Sequence, residues 1–185
     1  MVMDNHLSID LDWIKTVQQL DFINELIFES LQVDQVNFCV QHQALFHFFK
    51  NLKSVCLYNL DHHHDVIYHK EWKGVNEGNW IYPLFMKGAI KEYHWIKNLD
   101  SEIQDKTPET LTTLDIVYKV YDDFTWIKNL KFKSLSICLS PESHFCEVNR
   151  QSLWETYKYY FKTRNYAVQV YKTDAELFGL SREMQ

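Results

Sequence analysis

Short apolar, β-branched runs alternate along this chain with longer stretches of helical period, and that alternation restricts the fold more than any other feature. Runs at 6–11, 35–40 (QVNFCV), 54–60 (SVCLYNL), 93–96, 116–121 (IVYKVY), 134–139 (SLSICL) and 166–171 (YAVQVY) predict strands. Between the first two, 13–31 carries Ile14, Val17, Leu20, Ile23, Ile27 and Leu31 at a 3.6-residue period, which predicts an amphipathic helix. Further helices are expected over 44–52, over 80–90 in spite of Pro83, and over 148–162, with a polar loop at 100–109 (DSEIQDKTPE). SVCLYNL is apolar enough for a central strand covered on both faces. Strands separated by helices predict a three-layer α/β/α sandwich around a mostly parallel sheet. Repeats, low-complexity tracts and an interdomain linker are all missing from the 185 residues, so one domain over 1–185 is expected.

Composition narrows the partners. Hydrophobic residues make up 46% and aromatics 16%, with few glycines and prolines, as in a globular chain. The net charge of -6 gives no basic stripe for nucleic acid. No apolar run approaches the ~20 residues of a membrane span, and MVMDNHLSIDLD lacks the basic and apolar regions of a signal peptide. Cys39, Cys56, Cys138 and Cys146 form no CxxC pair, and three lie in apolar runs, as buried free thiols of a reducing compartment do. The expected location is the cytoplasm. The aromatic-rich segment with Trp154, Tyr157, Tyr159, Tyr160 and Phe161 suits the core, with a homo-oligomer interface as the alternative.

In parallel α/β sheets ligands bind beyond the carboxyl ends of the strands, and here those ends carry acids and histidines. The first strand ends in Ser8-Ile9-Asp10-Leu11-Asp12, the second leads to His42, and the third runs into Asp61-His62-His63-His64-Asp65. Alternation in an extended chain puts Asp10 with Asp12, and Asp61 with His63 and Asp65, on common faces. Four neighbouring carboxylates repel one another unless cations lie between them. Six donors exceed what one ion with an open position needs and match two. Carboxylates with two imidazoles make a hard site, so two Mn²⁺ are the leading expectation, with Zn²⁺, Fe²⁺ or Co²⁺ as alternatives. Taken singly, Asp-x-Asp is commonly a helix cap and His42 an ordinary satisfied histidine. An apolar strand running straight into DHHHD has no comparably cheap structural explanation.

These motifs resemble those of the arginase-like metallohydrolases, which carry Asp-x-His-x-Asp, Ser-x-Asp-x-Asp and a lone metal-binding His at strand ends. Here the three are Asp61-His62-His63-His64-Asp65, Ser8-Ile9-Asp10-Leu11-Asp12 and His42. Asp-x-Asp comes first in this chain, as in a circular permutation of the family's motif order. The short length, Gly78-Asn79-Trp80 and the LSPES segment (139–143) are similar to the compact peptide arginases, and the likeness spans 7–143. The resemblance implies conversion of arginine to ornithine and urea within a precursor peptide during natural-product maturation, by a metal-bridging hydroxide attacking the guanidinium carbon. It implies that Asp10 and Asp61 bridge the ions, that His42 and Asp65 complete one site, and that His63 and Asp12 complete the other.

A cationic guanidinium also calls for a carboxylate partner. Glu142 is assigned that catalytic and substrate-binding role, although Pro141-Glu142 does not align cleanly with the family and Glu142 could merely cap the following segment. Asn79 and Trp80 are assigned to the substrate pocket, the ring flanking the alkyl chain or stacking on the cation. Tryptophan after glycine is as often core. His62 and His64 are expected to support or pack. The family's proton-shuttle histidine has no counterpart in Glu77-Gly78-Asn79-Trp80, and His69 suits the surface better. Rival expectations are a hydrolase of a free guanidino or amidino compound such as arginine or agmatine, a one-zinc amide hydrolase of the same fold, and a non-enzymatic metal-binding protein.

Overall fold

The seven predicted strands pair into one sheet: β1 (Asn5–Asp10), β2 (Gln35–Cys39), β3 (Val55–Leu60), β4 (Ile90–Ile96), β5 (Val117–Tyr121), β6 (Ser134–Cys138) and β7 (Ala167–Tyr171). The computed structural model describes residues 3–66, 75–76, 78–98, 101, 117–140 and 149–171. The strand order is β5-β4-β3-β1-β6-β2-β7, and every pairing is parallel. Parallel neighbours need crossovers, which α1 (Val17–Glu25), α2 (Phe46–Phe49), α3 (Ile81–Met86) and α4 (Arg150–Thr163) help to supply. None of the described helices is long and apolar enough to cross a membrane.

Alternation along the central strands sorts their side chains to two sides. Leu7, Ile9, Val36, Phe38, Leu135 and Ile137 face α1 and α4, where Phe22, Ile23, Trp154, Tyr157 and Phe161 complete one core. Leu57, Tyr93 and Trp95 face α2 and α3, with Phe49, Ile81, Leu84 and Phe85. The helices therefore cover both faces of the sheet as an α/β sandwich, each fully buried large side chain contributing about 1.5–3 kcal/mol.

Element ends differ from the sequence expectation where caps intervene. The helix expected over 13–31 begins at Val17, because Thr16 and Gln19 form a capping box. It closes through a wider π-turn at Leu26–Ser30. The segment 44–52 divides into a 3₁₀ turn, His42–Leu45, and the single α-turn of α2. In 80–90, α3 stops at Met86. Gly88 takes φ +67° there, and the Gly88 and Ala89 N–H groups return to Phe85 and Leu84 carbonyls. This is the glycine-terminated helix end that L-residues adopt only with strain, and it lets β4 begin at Ile90, earlier than expected. Of the polar loop at 100–109, only Ser101 is among the described residues.

Candidate metal centre

The chain leaves β1 toward β2 on one side of the sheet and leaves β3 toward β4 on the other. The carboxyl ends of β1 and β3 thus flank the reversal point where such sheets bind ligands. Ile9 pairs with Leu60, so Asp10 and Asp61 occupy the next positions on adjacent strands. Between β1 and β2, which leads to His42, lies β6, whose last residue, Cys138, pairs with Asp10.

Local turns, rather than continued strand, aim the side chains of the cluster. Asp10 Oδ1 accepts the Asp12 N–H at 3.3 Å and caps the 3₁₀ turn Leu11–Trp13, so Asp12 reaches the cluster from a turn. Beyond β3 the backbone is irregular. Asp61 Oδ1 accepts the His63 N–H at 2.9 Å, Trp95 Nε1 donates to the Asp61 carbonyl at 3.0 Å, and Asp65 sits at φ +54°. A non-glycine residue in that region is uncommon, and Asp65 is held there by the Ile81 N–H on its carbonyl and by the Trp80 indole N–H, which donates to Asp65 Oδ2 at 2.5 Å. The expected strand alternation of Asp61, His63 and Asp65 is therefore replaced by a pinned loop, which nevertheless brings all three side chains to the cluster.

Two donor groups share Asp61: His42 with Asp61 and Asp65, and Asp12 with Asp61 and His63. His42 Nδ1 lies 3.3 Å from Asp10 Oδ2, 3.0 Å from Asp61 Oδ2 and 3.0 Å from Asp65 Oδ2. His63 Nδ1 lies 3.6 Å from Asp12 Oδ2 and 4.0 Å from Asp61 Oδ1. Although it lies at ion-pair distance from three carboxylates, His42 Nδ1 meets hydrogen-bond geometry with none of them, and Asp12 Oδ2 likewise accepts no hydrogen bond. The opposite ring nitrogen, Nε2, lies 2.8 Å from Ser8 Oγ, which fixes the ring. Only the His63 side chain, at 25% exposure, opens on solvent, while those of His42, Asp61, Asp65 and Asp12 are buried.

The electrostatics follow from this crowding. Burial, reinforced by Asp12, holds the Asp10 carboxyl well above the usual carboxylate range. Burial and Asp61 raise Asp12, and burial and Asp65 raise Asp61. For His42 burial opposes the charged ring, yet Asp10 and Asp61 outweigh it and hold the imidazole well above its ordinary value. The isolated cluster therefore keeps protons that divalent cations would displace. Unpartnered, buried nitrogen and oxygen atoms among carboxylates fit metal ligation better than they fit a closed hydrogen-bonded network.

Around these six lies a supporting set. Asn59 Nδ2 donates to Asp61 Oδ2 at 3.0 Å and to the Tyr93 hydroxyl at 3.0 Å, and that hydroxyl donates to the His64 carbonyl at 2.9 Å. His62 Nδ1 meets Asn98 Oδ1 at 3.0 Å, and its N–H reaches Asp12 Oδ1 at 3.4 Å. His64 Nδ1 accepts the Val66 N–H, and burial lowers that imidazole to about 4. Trp80 is fully buried beneath His42 and bonded to Asp65, so it supports the cluster instead of walling a substrate pocket. Asn79 Oδ1 accepts the Asn76 N–H in the preceding turn. Glu142, His69 and Cys146 lie outside the described residues. The sequence reading gave no role to Asn59, Tyr93 or Trp95. Asn59, two residues before Asp61 in an otherwise apolar strand, is the one signal that could have flagged this support.

A separate group, Cys56 with Glu92 and His94, lies on β3 and β4 away from this edge. There His94 Nε2 is 2.7 Å from Glu92 Oε1, and Lys119 also pairs with that carboxylate. Its charges are thus already matched.

Compared with known proteins, the chain matches no family model, no curated protein and no solved structure.

Proposed function

We propose that this protein is a two-metal hydrolase that converts arginine residues of a precursor peptide to ornithine with release of urea. The observation that carries the reading is Asp61, a buried carboxylate with one oxygen facing His42 and the other facing His63. A carboxylate so placed would be able to serve two ions at once. Asp10, His42 and Asp65 would hold one ion, Asp12 and His63 the other, and Asp10 stands as the second bridge by resemblance. Two divalent ions, Mn²⁺ foremost, supply a water of lowered pKa and charge to stabilise the transition state.

The chain's own residues orient that chemistry. Ser8 fixes the His42 ring, Trp80 fixes Asp65, and Asn59 fixes Asp61, as outer partners of metal ligands do. The half-open His63 side offers the approach for a substrate. Water adds across the bond between the guanidinium carbon and the side-chain nitrogen. That nitrogen leaves protonated on ornithine, and the remaining carbon departs as urea. Glu142 is proposed to pair with the outer guanidinium nitrogens, as the resemblance implies. The motif order is proposed to be a circular permutation of the arginase arrangement, and the buried, unpaired Cys39, Cys56 and Cys138 support a reducing, cytoplasmic setting.

The test is mass spectrometry of an arginine-containing precursor peptide co-expressed with this chain and supplied with Mn²⁺. The expected result is loss of one urea-minus-water unit per modified arginine, absent with Asp61→Ala. An unchanged peptide alongside consumed free arginine overturns the peptide substrate and establishes the free-guanidino reading. An unchanged peptide and unchanged arginine, with two ions bound, overturn the guanidinium chemistry.

A further inference from the structure

The strand between the two that lead to Asp10 and His42 ends in a thiol. Asp10, Cys138 and Cys39 are lateral partners across β1, β6 and β2, so their side chains share the face that carries His42. A carboxylate oxygen of Asp10, a ring nitrogen of His42 and the Cys138 sulfur all lie within 4.8 Å of one another, and all three residues are buried. Donors bound to one ion at about 2.0–2.3 Å stand no more than about 4.6 Å apart, so a small relaxation brings the three onto a single cation. The buried His42 Nδ1, 3% exposed, faces Asp10, Asp61 and Asp65 without hydrogen-bonding to any of them, and this points independently to a cation at this spot.

We infer that Cys138 is a thiolate ligand, together with Asp10 and His42, of the ion on the His42 side of the centre, making that half softer than the half held by Asp12 and His63. The inference rests on the metal-centre reading above. The thiol donates to the Val40 carbonyl at 3.4 Å. On coordination its proton passes to solvent and the sulfur lone pair binds the ion. Nothing is oxidised or reduced. The adjacent Cys39 thiol points to the Ile137 carbonyl at 3.9 Å and stays outside the donor group. Thiolate ligation favours Zn²⁺, Co²⁺ or Fe²⁺ over Mn²⁺ at this one position, leaving the carboxylate-rich neighbour to a harder ion.

Cobalt substitution reads the difference directly. The full chain, stripped of metal and titrated with Co²⁺, is expected to show ligand-field bands together with a near-ultraviolet sulfur-to-cobalt charge-transfer band. Cys138→Ser is expected to lose the charge-transfer band while keeping ligand-field bands. The triple variant Cys39→Ser, Cys56→Ser, Cys146→Ser leaves Cys138 as the sole thiol and is expected to keep the band, so the assignment holds even if Cys138→Ser folds poorly. Ligand-field bands without charge transfer in the unaltered chain overturn the thiolate and leave the metal centre intact. Loss of the band in the triple variant assigns it to another cysteine and also overturns the inference. Absence of any cobalt spectrum overturns the metal centre itself.

Discussion

The two faces of the central sheet are built on opposite plans from the same strands. Toward α1 and α4, strands β1, β2 and β6 present Leu7 and Ile9, Val36 and Phe38, and Leu135 and Ile137. Toward α2 and α3 the intervening positions are His6, Ser8 and Asp10, then Gln35, Asn37 and Cys39, then Ser134, Ser136 and Cys138. Most of these are buried and hydrogen-bonded: His6 Nδ1 is 2.6 Å from Ser134 Oγ, and Asn37 Nδ2 donates to Ser136 Oγ at 3.3 Å. Burying polar groups costs free energy that their mutual hydrogen bonds only partly offset. On these three strands one face is apolar, while the other tolerates that cost and ends in the cluster of acids and histidines, its apolar packing coming instead from β3, β4, α2 and α3.

The sharpest way to break this contrast is to cut into the apolar face. Phe38 is fully buried and packs edge-on against Trp154, so Phe38→Ala should cost about 3–5 kcal/mol of stability, read as a denaturant midpoint shift. Asp12→Ala or His63→Ala should instead leave a folded chain that has lost metal. If these two unfold it, the polar edge is structural and the contrast between faces collapses.

Proton linkage gives the next largest effect. Asp10, Asp12 and Asp61 have folded values raised above 3.8, and His42 has one raised above 6.5. The folded metal-free chain therefore binds more protons than the unfolded chain, and its stability falls as pH rises above those ordinary values. His6 and His64 act oppositely. Burial lowers both to about 4, so their contribution is lost as pH falls from 6.5 toward that value. A thermal midpoint measured with a chelator should decline on the alkaline side of neutrality. A divalent cation at a hundredfold excess over its dissociation constant should add about 2.7 kcal/mol and flatten the decline. A midpoint that rises with pH in chelator contradicts the assigned crowding.

Finer cuts sharpen the comparison. Ser8→Ala removes the group beside His42 Nε2 and should weaken metal affinity about 10–100-fold with little change in metal-free stability, as calorimetric titration would show. Trp80→Phe keeps an aromatic ring, though a smaller one, beside His42 and Phe49 and deletes the N–H on Asp65. Its effect should fall near the lower limit, about tenfold.

Strand and helix alternation is written in local periodicity, so the sheet, its layers and the ends that bear acids were all legible along the chain. Asp61, His63 and Asp65 announced themselves because an apolar strand runs directly into them. Their aim was not legible, since Asp65 relies on a left-handed backbone and on Trp80, and Asp12 on a turn capped by Asp10. Trp80 looked equally like pocket and core from Gly78-Asn79-Trp80, because the preference depends on what lies above it.

By itself the sequence determined a parallel α/β fold and the residue types gathered at its edge, because side-chain period and strand ends are local properties. Only the tertiary structure decided strand order, and strand order set β6 between β1 and β2. That placement brings Cys138 beside Asp10, although 128 positions separate them along the chain. Contacts across such distances depend on how crossovers stack strands, which no local pattern encodes.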